Sequence, residues 1–224
     1  MTTDALDAWL ISKTPSGDSS LRLHLFTREQ GMVTCFYKGG RTPKKQAVLQ
    51  AFLPLCLSLD SRQDCHFARS IETPAAALVL SGHALFAALY LNELIYHVLK
   101  PFDPYPDLYD AYQYALRALT LASDRLTLES LLRQFEWVLL RECGHGLAFV
   151  DDDQAAFYRF VAGSGFVSAT EGFAPDLASA IIAGDFHDVR TVQSAKKMMR
   201  QAIDYLLAGR ELKSRQLFAR QTGM

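Results

Sequence analysis

The sequence is short of cysteines and has none in pairs. Cys35, Cys56, Cys65 and Cys143 are the only four among 224 residues, and no CxxC or HxxxH spacing occurs. Structural zinc takes four ligands, usually delivered as such pairs, so Cys65-His66 and Cys143-x-His145 are read as core thiols beside histidines. No export signal is expected either: MTTDALDAWLISK carries two aspartates before its first lysine and no continuous apolar segment. The chain is therefore expected in the cytoplasm, with reduced thiols and no disulfide. Long apolar runs are absent too. ALFAALYLNELIYHVL is broken by Asn92, Glu93 and His97, well short of the roughly 20 apolar residues of a membrane span, and reads as a buried helix. GxSxG and HExxH do not occur, and Gly39-Gly40 lacks the GxxxxGK spacing of a phosphate-cradling loop. The run Asp151 to Asp153 lacks the spaced oxygen ligands of a calcium loop and reads as a solvated turn. No catalytic residue, metal ligand or cofactor is assigned.

One further absence points somewhere. No acidic residue stands between Gln30 and Leu59, and YKGGRTPKKQAVLQAF gathers Lys38, Arg41, Lys44 and Lys45 around two glycines, a threonine and a proline. Composition does not force this, because 23 Lys and Arg face 24 Asp and Glu overall. Residues 1 to 78 carry nine basic and seven acidic side chains (+2), residues 79 to 189 six and fifteen (−9), and residues 190 to 224 eight and two (+6). Local patches of this kind can attract a polyanion that the net charge would not. Two meanings stay open on composition alone: a loop kept basic for solubility, or an extended loop touching phosphates with Arg22, Lys38, Arg41, Lys44 and Lys45.

Residues 1 to 72 have the period of short strands. LRLHLF sets Leu21, Leu23 and Leu25 against Arg22 and His24, and LPLCLSLD puts Leu53, Leu55, Leu57 and Leu59 on one face. AWLISK, MVTCFYK and CHFARSI complete five strands between turn-rich segments, which suits a small barrel whose outer face and loops are free to bind. Around IETPAAA, residues 71 to 77, the period becomes helical, with helices expected over Ser81 to Leu99, Pro106 to Leu121, Thr127 to Cys143 and Val192 to Leu207, and a short one from Ser214. YRFVAGSGFVSA returns to period two across a Gly-Ser-Gly turn and reads as a hairpin. In the third helix Arg133 and Trp137 are one turn apart, with Glu129 four residues before Arg133 and Arg141 four after Trp137. They are either exposed i,i+4 pairs or a cation beside an apolar groove that takes a peptide with an acidic, aromatic tip.

Four segments in order, KGGRTPKKQAVLQAFLPL, LYLNELIYHVLKPFDPYPDLYDAY, LLRQFEWVLLRECGHG and RELKSRQLFAR, resemble the RecO family of bacterial recombination mediators over nearly the full length. The resemblance implies an α+β chain: an OB-fold barrel at residues 1–72, a linker at 73–77 and a mainly helical domain with one inserted hairpin at 78–224. It implies a non-enzymatic protein that binds single- and double-stranded DNA, anneals complementary strands and, with RecR, loads RecA onto DNA coated by single-stranded DNA-binding protein. It favours phosphate contact for Lys38, Arg41, Lys44 and Lys45. Phe36, which shares a face with Lys38, is the base-stacking choice over Tyr37. The acidic, phenylalanine-ended tail of the single-stranded DNA-binding protein is assigned to Arg133, which matches the arginine of the family's LRxFE segment, with Lys196 or Lys197. Many relatives carry two CxxC pairs after the CGHG-like segment; LAFVDDDQAAFYRF has none, so a metal-free branch, monomeric on its own, is expected. The alternative in another class is a helical adaptor whose barrel binds RNA or nothing; a hydrolase with dispersed catalytic residues has no motif behind it.

Overall fold

The computed structural model describes residues 2–63, 65–151 and 154–221, so Asp152 and Asp153 of the acidic run lie outside the described residues. Five strands form a closed barrel in the order β1-β2-β3-β5-β4: β1 Thr2–Ser16, β2 Ser20–Thr27, β3 Gly31–Tyr37, β4 Pro54–Arg62 and β5 Cys65–Glu72. All neighbours are antiparallel except β3 and β5, which run parallel at Phe36 and Phe67. This is the five-stranded OB arrangement. The first strand is far longer than AWLISK because it serves two neighbours, and register shifts between Leu10 and Ser12 and between Thr3 and Leu6 let it bend from one to the other.

The alternating leucines do what period two requires. Leu21, Leu23, Leu25, Leu55, Leu57 and Leu59 fill the interior with Leu6, Val33 and Cys35. Burial pushes the Cys35 thiol up to about 12, so it stays a neutral, inert packing group, and none of the four cysteines is paired.

Between the third and fourth strands the expected extended loop is in fact a tight turn followed by one turn of helix, α1 Pro43–Ala47. Pro43 supplies the φ of a first helical residue, and Lys44, Lys45, Gln46 and Ala47 are good helix formers. Lys13 fixes the end of that helix by donating from Nζ to the Leu49 carbonyl at 2.8 Å and to Gln46 Oε1 at 3.1 Å.

The helices α2 Gly82–Val98 and α3 Pro106–Leu119 belong with the barrel in one compact unit, Met1–Thr120. Aromatic packing explains this. Phe26, on the end of β2, is fully buried against Tyr109 and Tyr112 of α3, with ring centroids 5.3 and 6.0 Å away, and Trp9 meets Tyr112 edge-on at 5.9 Å. Tyr112 donates to Asn92 at 2.5 Å, which satisfies the one buried amide of α2, and Arg28 grips Asp110 with two hydrogen bonds of 3.0 and 2.8 Å. The change of period at 73–77 thus marks where strands give way to helices, while the packing of the first unit continues to Thr120.

The second unit, Leu121–Met224, holds α4 Arg125–Glu142, the hairpin β6 Phe157–Val161 and β7 Gly165–Ala169, α5 Pro175–Ala183, α6 Val189–Leu207 and α7 Ser214–Gln221. Asp124 and Asp188 cap α4 and α6, accepting from the amides of Thr127 at 2.9 Å and Thr191 at 3.0 Å. α5 was not expected, although Pro175 at its start and Gly184, with φ of 73° at its end, are ordinary helix punctuation. The hairpin is held by packing and by Asp151, whose carboxylate accepts from the amide and hydroxyl of Ser168 at 3.0 and 3.1 Å. Its aromatic residues Tyr158, Phe160 and Phe166 join Ile181, Phe186, Met198 and Met199 in one core. Among the described residues no group of three or more His, Cys, Asp or Glu could hold a metal. Among the same residues no helix is long and apolar enough to cross a membrane.

Candidate nucleic-acid interface

The basic segment starts where β3 leaves the barrel. Tyr37 turns inward, 7% exposed, and Phe36 and Lys38 turn outward, as period two requires of neighbours. The turn depends on both glycines for different reasons. Gly39 has a φ of 64°, and a Cβ on Gly40 would lie 2.9 Å from the Tyr37 carbonyl and 3.1 Å from its ring. The Gly40 amide donates to Tyr37 O, and the Thr42 amide and hydroxyl both donate to Gly39 O.

The four cations of the segment then divide into two kinds. Arg41 donates from Nη1 to the carbonyls of Asp18 at 3.0 Å and Gly17 at 3.4 Å, and its amide donates to Ser19 O, so it ties the segment to the β1–β2 turn. Lys45 folds back, with Nζ 4.3 Å from the centroid of the Tyr37 ring and 2.6 Å from the Lys38 carbonyl. Lys44 is exposed and makes no hydrogen bond or ion pair among the described residues; Lys38 is exposed, with Nζ 5.0 Å from the centroid of the Phe67 ring. Arg22 is exposed on β2 directly opposite Phe36, with its guanidinium carbon 5.4 Å from that ring's centroid. All six sequence-derived residues are therefore on one region of the barrel and the turn leading from it.

Phe67 is the residue that sequence reasoning missed. It pairs with Phe36 across the parallel β3–β5 contact, with ring centroids 5.9 Å apart and planes inclined by 38°, and both rings are partly exposed. A cation over an exposed ring contributes only about 0.5–1 kcal/mol, so Arg22 and Lys38 can leave these rings at little cost. His24, next along the same face, accepts from or donates to Thr34 Oγ1 through Nδ1 at 3.0 Å; burial first, and then the Arg22 charge, hold its pKa below the usual value.

In the second unit α4 and α6 border a cleft of about 470 Å³ lined by Arg125, Leu126, Glu129, Val189, Val192, Gln193 and Lys196. Arg133 is not on its wall. It is buried, 5% exposed, and its guanidinium lies against Glu136 at 2.6 and 2.5 Å and Glu129 at 3.5 Å. The expected exposed pair of Glu129 and Arg133 is thus part of a largely buried network, because α4 is enclosed on nearly every side and Arg133 lies between Glu136 and Glu129 there. The i,i+3 spacing of Arg133 and Glu136 was the signal. Glu129 links this network to the cleft, reaching Lys196 Nζ at 2.5 Å and Arg125 Nε at 3.6 Å. Lys197 is exposed on α6 and stands outside the network. Trp137 meets Arg141 as its spacing suggested, 5.1 Å from ring centroid to guanidinium carbon, and donates to the Ile182 carbonyl at 3.1 Å.

Two family models match the chain: "Recombination protein O N terminal" over residues 1–74 and "Recombination protein O C terminal" over residues 80–153. The chain is 47% identical over 226 residues to a "DNA repair protein RecO" of Legionella pneumophila (strain Corby), with 97% of this chain and 99% of the relative covered. It is 34% identical to the protein of that name from Shigella flexneri, with 94% and 92% covered, and 32% identical to that from Tolumonas auensis, with 96% and 95% covered.

Proposed function

The chain belongs to the RecO family of DNA repair proteins, and on that footing we propose that it is a non-enzymatic, cytoplasmic recombination mediator that joins the nucleoid during repair. It binds single- and double-stranded DNA, anneals complementary strands and, with RecR, helps load RecA onto DNA coated by single-stranded DNA-binding protein. The observation that carries this is the acid-free stretch from Gln30 to Leu59, whose lysines and arginine lie on the turn and short helix between β3 and β4 of an OB barrel. Arg22, Lys38 and Lys44 offer charge to phosphates, and Arg41 and Lys45 add charge while holding the turn in shape. Such contacts are blind to sequence and weaken with salt, which suits a protein that must hold strands and release them as duplex.

The cleft of the second unit suits the tail of the single-stranded DNA-binding protein. Leu126, Val189 and Val192 supply an apolar wall for the terminal aromatic ring, and Arg125 and Lys196 supply cations for the carboxylates. Lys197 adds to the positive potential of α6. Arg133 serves this site by fixing Glu129 and, through it, the position of Lys196.

Annealing tests the proposal. Two complementary oligonucleotides carrying a fluorophore and a quencher should pair faster with the native protein, without nucleotide, and more slowly with Lys44→Glu. Absence of acceleration together with absence of DNA binding would favour the adaptor reading, in which the cleft alone does the work.

A further inference from the structure

We propose that Phe36 and Phe67 form a stacking platform for unpaired bases, so that the barrel grips single strands by base as well as by phosphate. This rests on the barrel face being a nucleic-acid contact and names what that contact recognises. Arg22, Phe36 and Phe67 are lateral neighbours in one outward row across β2, β3 and β5. Elsewhere the outer face of the barrel hides its aromatics, as where Phe26 is fully buried under the tyrosines of α3. Phe36 and Phe67 instead stay partly open, side by side at 5.9 Å, in water.

The surroundings give the occupant its charge. Each ring has one cation over it, Arg22 on Phe36 and Lys38 on Phe67, and exposed Arg69 shares the outward face of β5 two residues beyond Phe67. A base has an apolar face of its own and a phosphate on either side. It can take the ring from the cation while the cation moves to the phosphate, which is a favourable exchange because base stacking on an aromatic outweighs an exposed cation contact. A paired base in a duplex cannot present its face, so the duplex receives the phosphate contacts only. The platform therefore makes the protein prefer the unpaired strand, without preference for any one base.

The test compares a labelled thymidine oligonucleotide with an abasic oligonucleotide of the same length, which keeps the phosphates and lacks the bases. The native protein is expected to bind the thymidine strand about tenfold tighter. Phe67→Ala should reduce that preference to about twofold or less, with affinity for the abasic strand and its salt slope unchanged. Where Phe67→Ala lowers the Tm, Phe67→Leu keeps apolar volume without the ring and is compared in the same way. Phe67→Trp should keep the preference, and its added emission should fall with the thymidine strand and not with the abasic one. A Phe67→Ala or Phe67→Leu protein that keeps the native preference overturns the platform and leaves phosphate binding intact. A native protein that binds neither strand overturns the nucleic-acid contact itself, and the platform with it.

Discussion

Lys45 donates its ammonium proton to the backbone carbonyl of Lys38 at 2.6 Å while lying over the Tyr37 ring. Two residues of like charge are thus joined by one serving the other's backbone, and the basic turn contains both contacts for a ligand and supports for itself. Lys44→Ala is expected to weaken binding to all DNA sequences alike and to lower the salt slope by about one, with Tm unchanged. Lys45→Ala should also release the turn. Amide hydrogen exchange at Gly40 and Thr42 separates the two: faster in Lys45→Ala, native in Lys44→Ala.

The Arg133 and Glu136 pair is nearly inaccessible, at 6% and 2% side-chain exposure. Removing one partner leaves a buried charge, so Arg133→Ala should destabilise the second unit by about 3–5 kcal/mol. An apolar double replacement, Arg133→Met with Glu136→Leu, should recover most of that loss. Urea unfolding of the three proteins checks both statements, and a loss below about 1 kcal/mol for Arg133→Ala would place the arginine in a surface role.

Lys196 is half exposed and pairs with Glu129 from the rim of the cleft. Exposed ion pairs contribute little to stability, so Lys196→Ala should melt like the native protein. Its affinity for an acidic peptide ending in phenylalanine should fall about five- to tenfold, the loss of one charge contact to a carboxylate. Calorimetric titration with the peptide, and DNA binding measured in parallel and expected unchanged, assign the cleft to the partner.

Acid should loosen the helical unit through its caps. Hydrogen bonds from the side chain and amide of Thr127 hold Asp124 below the usual carboxylate range, and those of Thr191 do the same for Asp188. A carboxylate with a lowered folded pKa contributes stability that is fully present above its unfolded value of about 4 and is lost as pH falls through the folded one. Asp188→Asn keeps an acceptor for the cap and cannot titrate. Its Tm should therefore fall less than the native Tm between about pH 4 and pH 2, and parallel acid limbs would contradict this.

The barrel was legible because Leu21, Leu23 and Leu25 must face one way in a strand, and the interior is where the structure puts them. The basic turn was legible as an absence of acid. Other features, the helix α5 Pro175–Ala183 among them, were not. α1 hides in five residues, too few for a period to show. Phe67 stands next to the register shift between Ser58 and Leu59 of the neighbouring strand, in a segment, CHFARSI, whose polar and apolar residues do not alternate. Arg133 looks like a surface residue until Glu136 is seen to be buried beside it, since a charge is expected outside unless a partner is identified. The missing information was length for α1, a regular period for Phe67, and for Arg133 the burial of a partner three residues along its own helix.

Fluorescence anisotropy of a labelled single strand across a salt series, native protein against Lys44→Glu, tests the central claim most directly. The claim predicts native binding that is indifferent to sequence and falls steeply with salt, and a Lys44→Glu protein that binds more weakly with a slope shallower by at least about one. Superimposable curves for the two proteins would contradict it and remove the Tyr37 to Phe52 segment from the nucleic-acid contact.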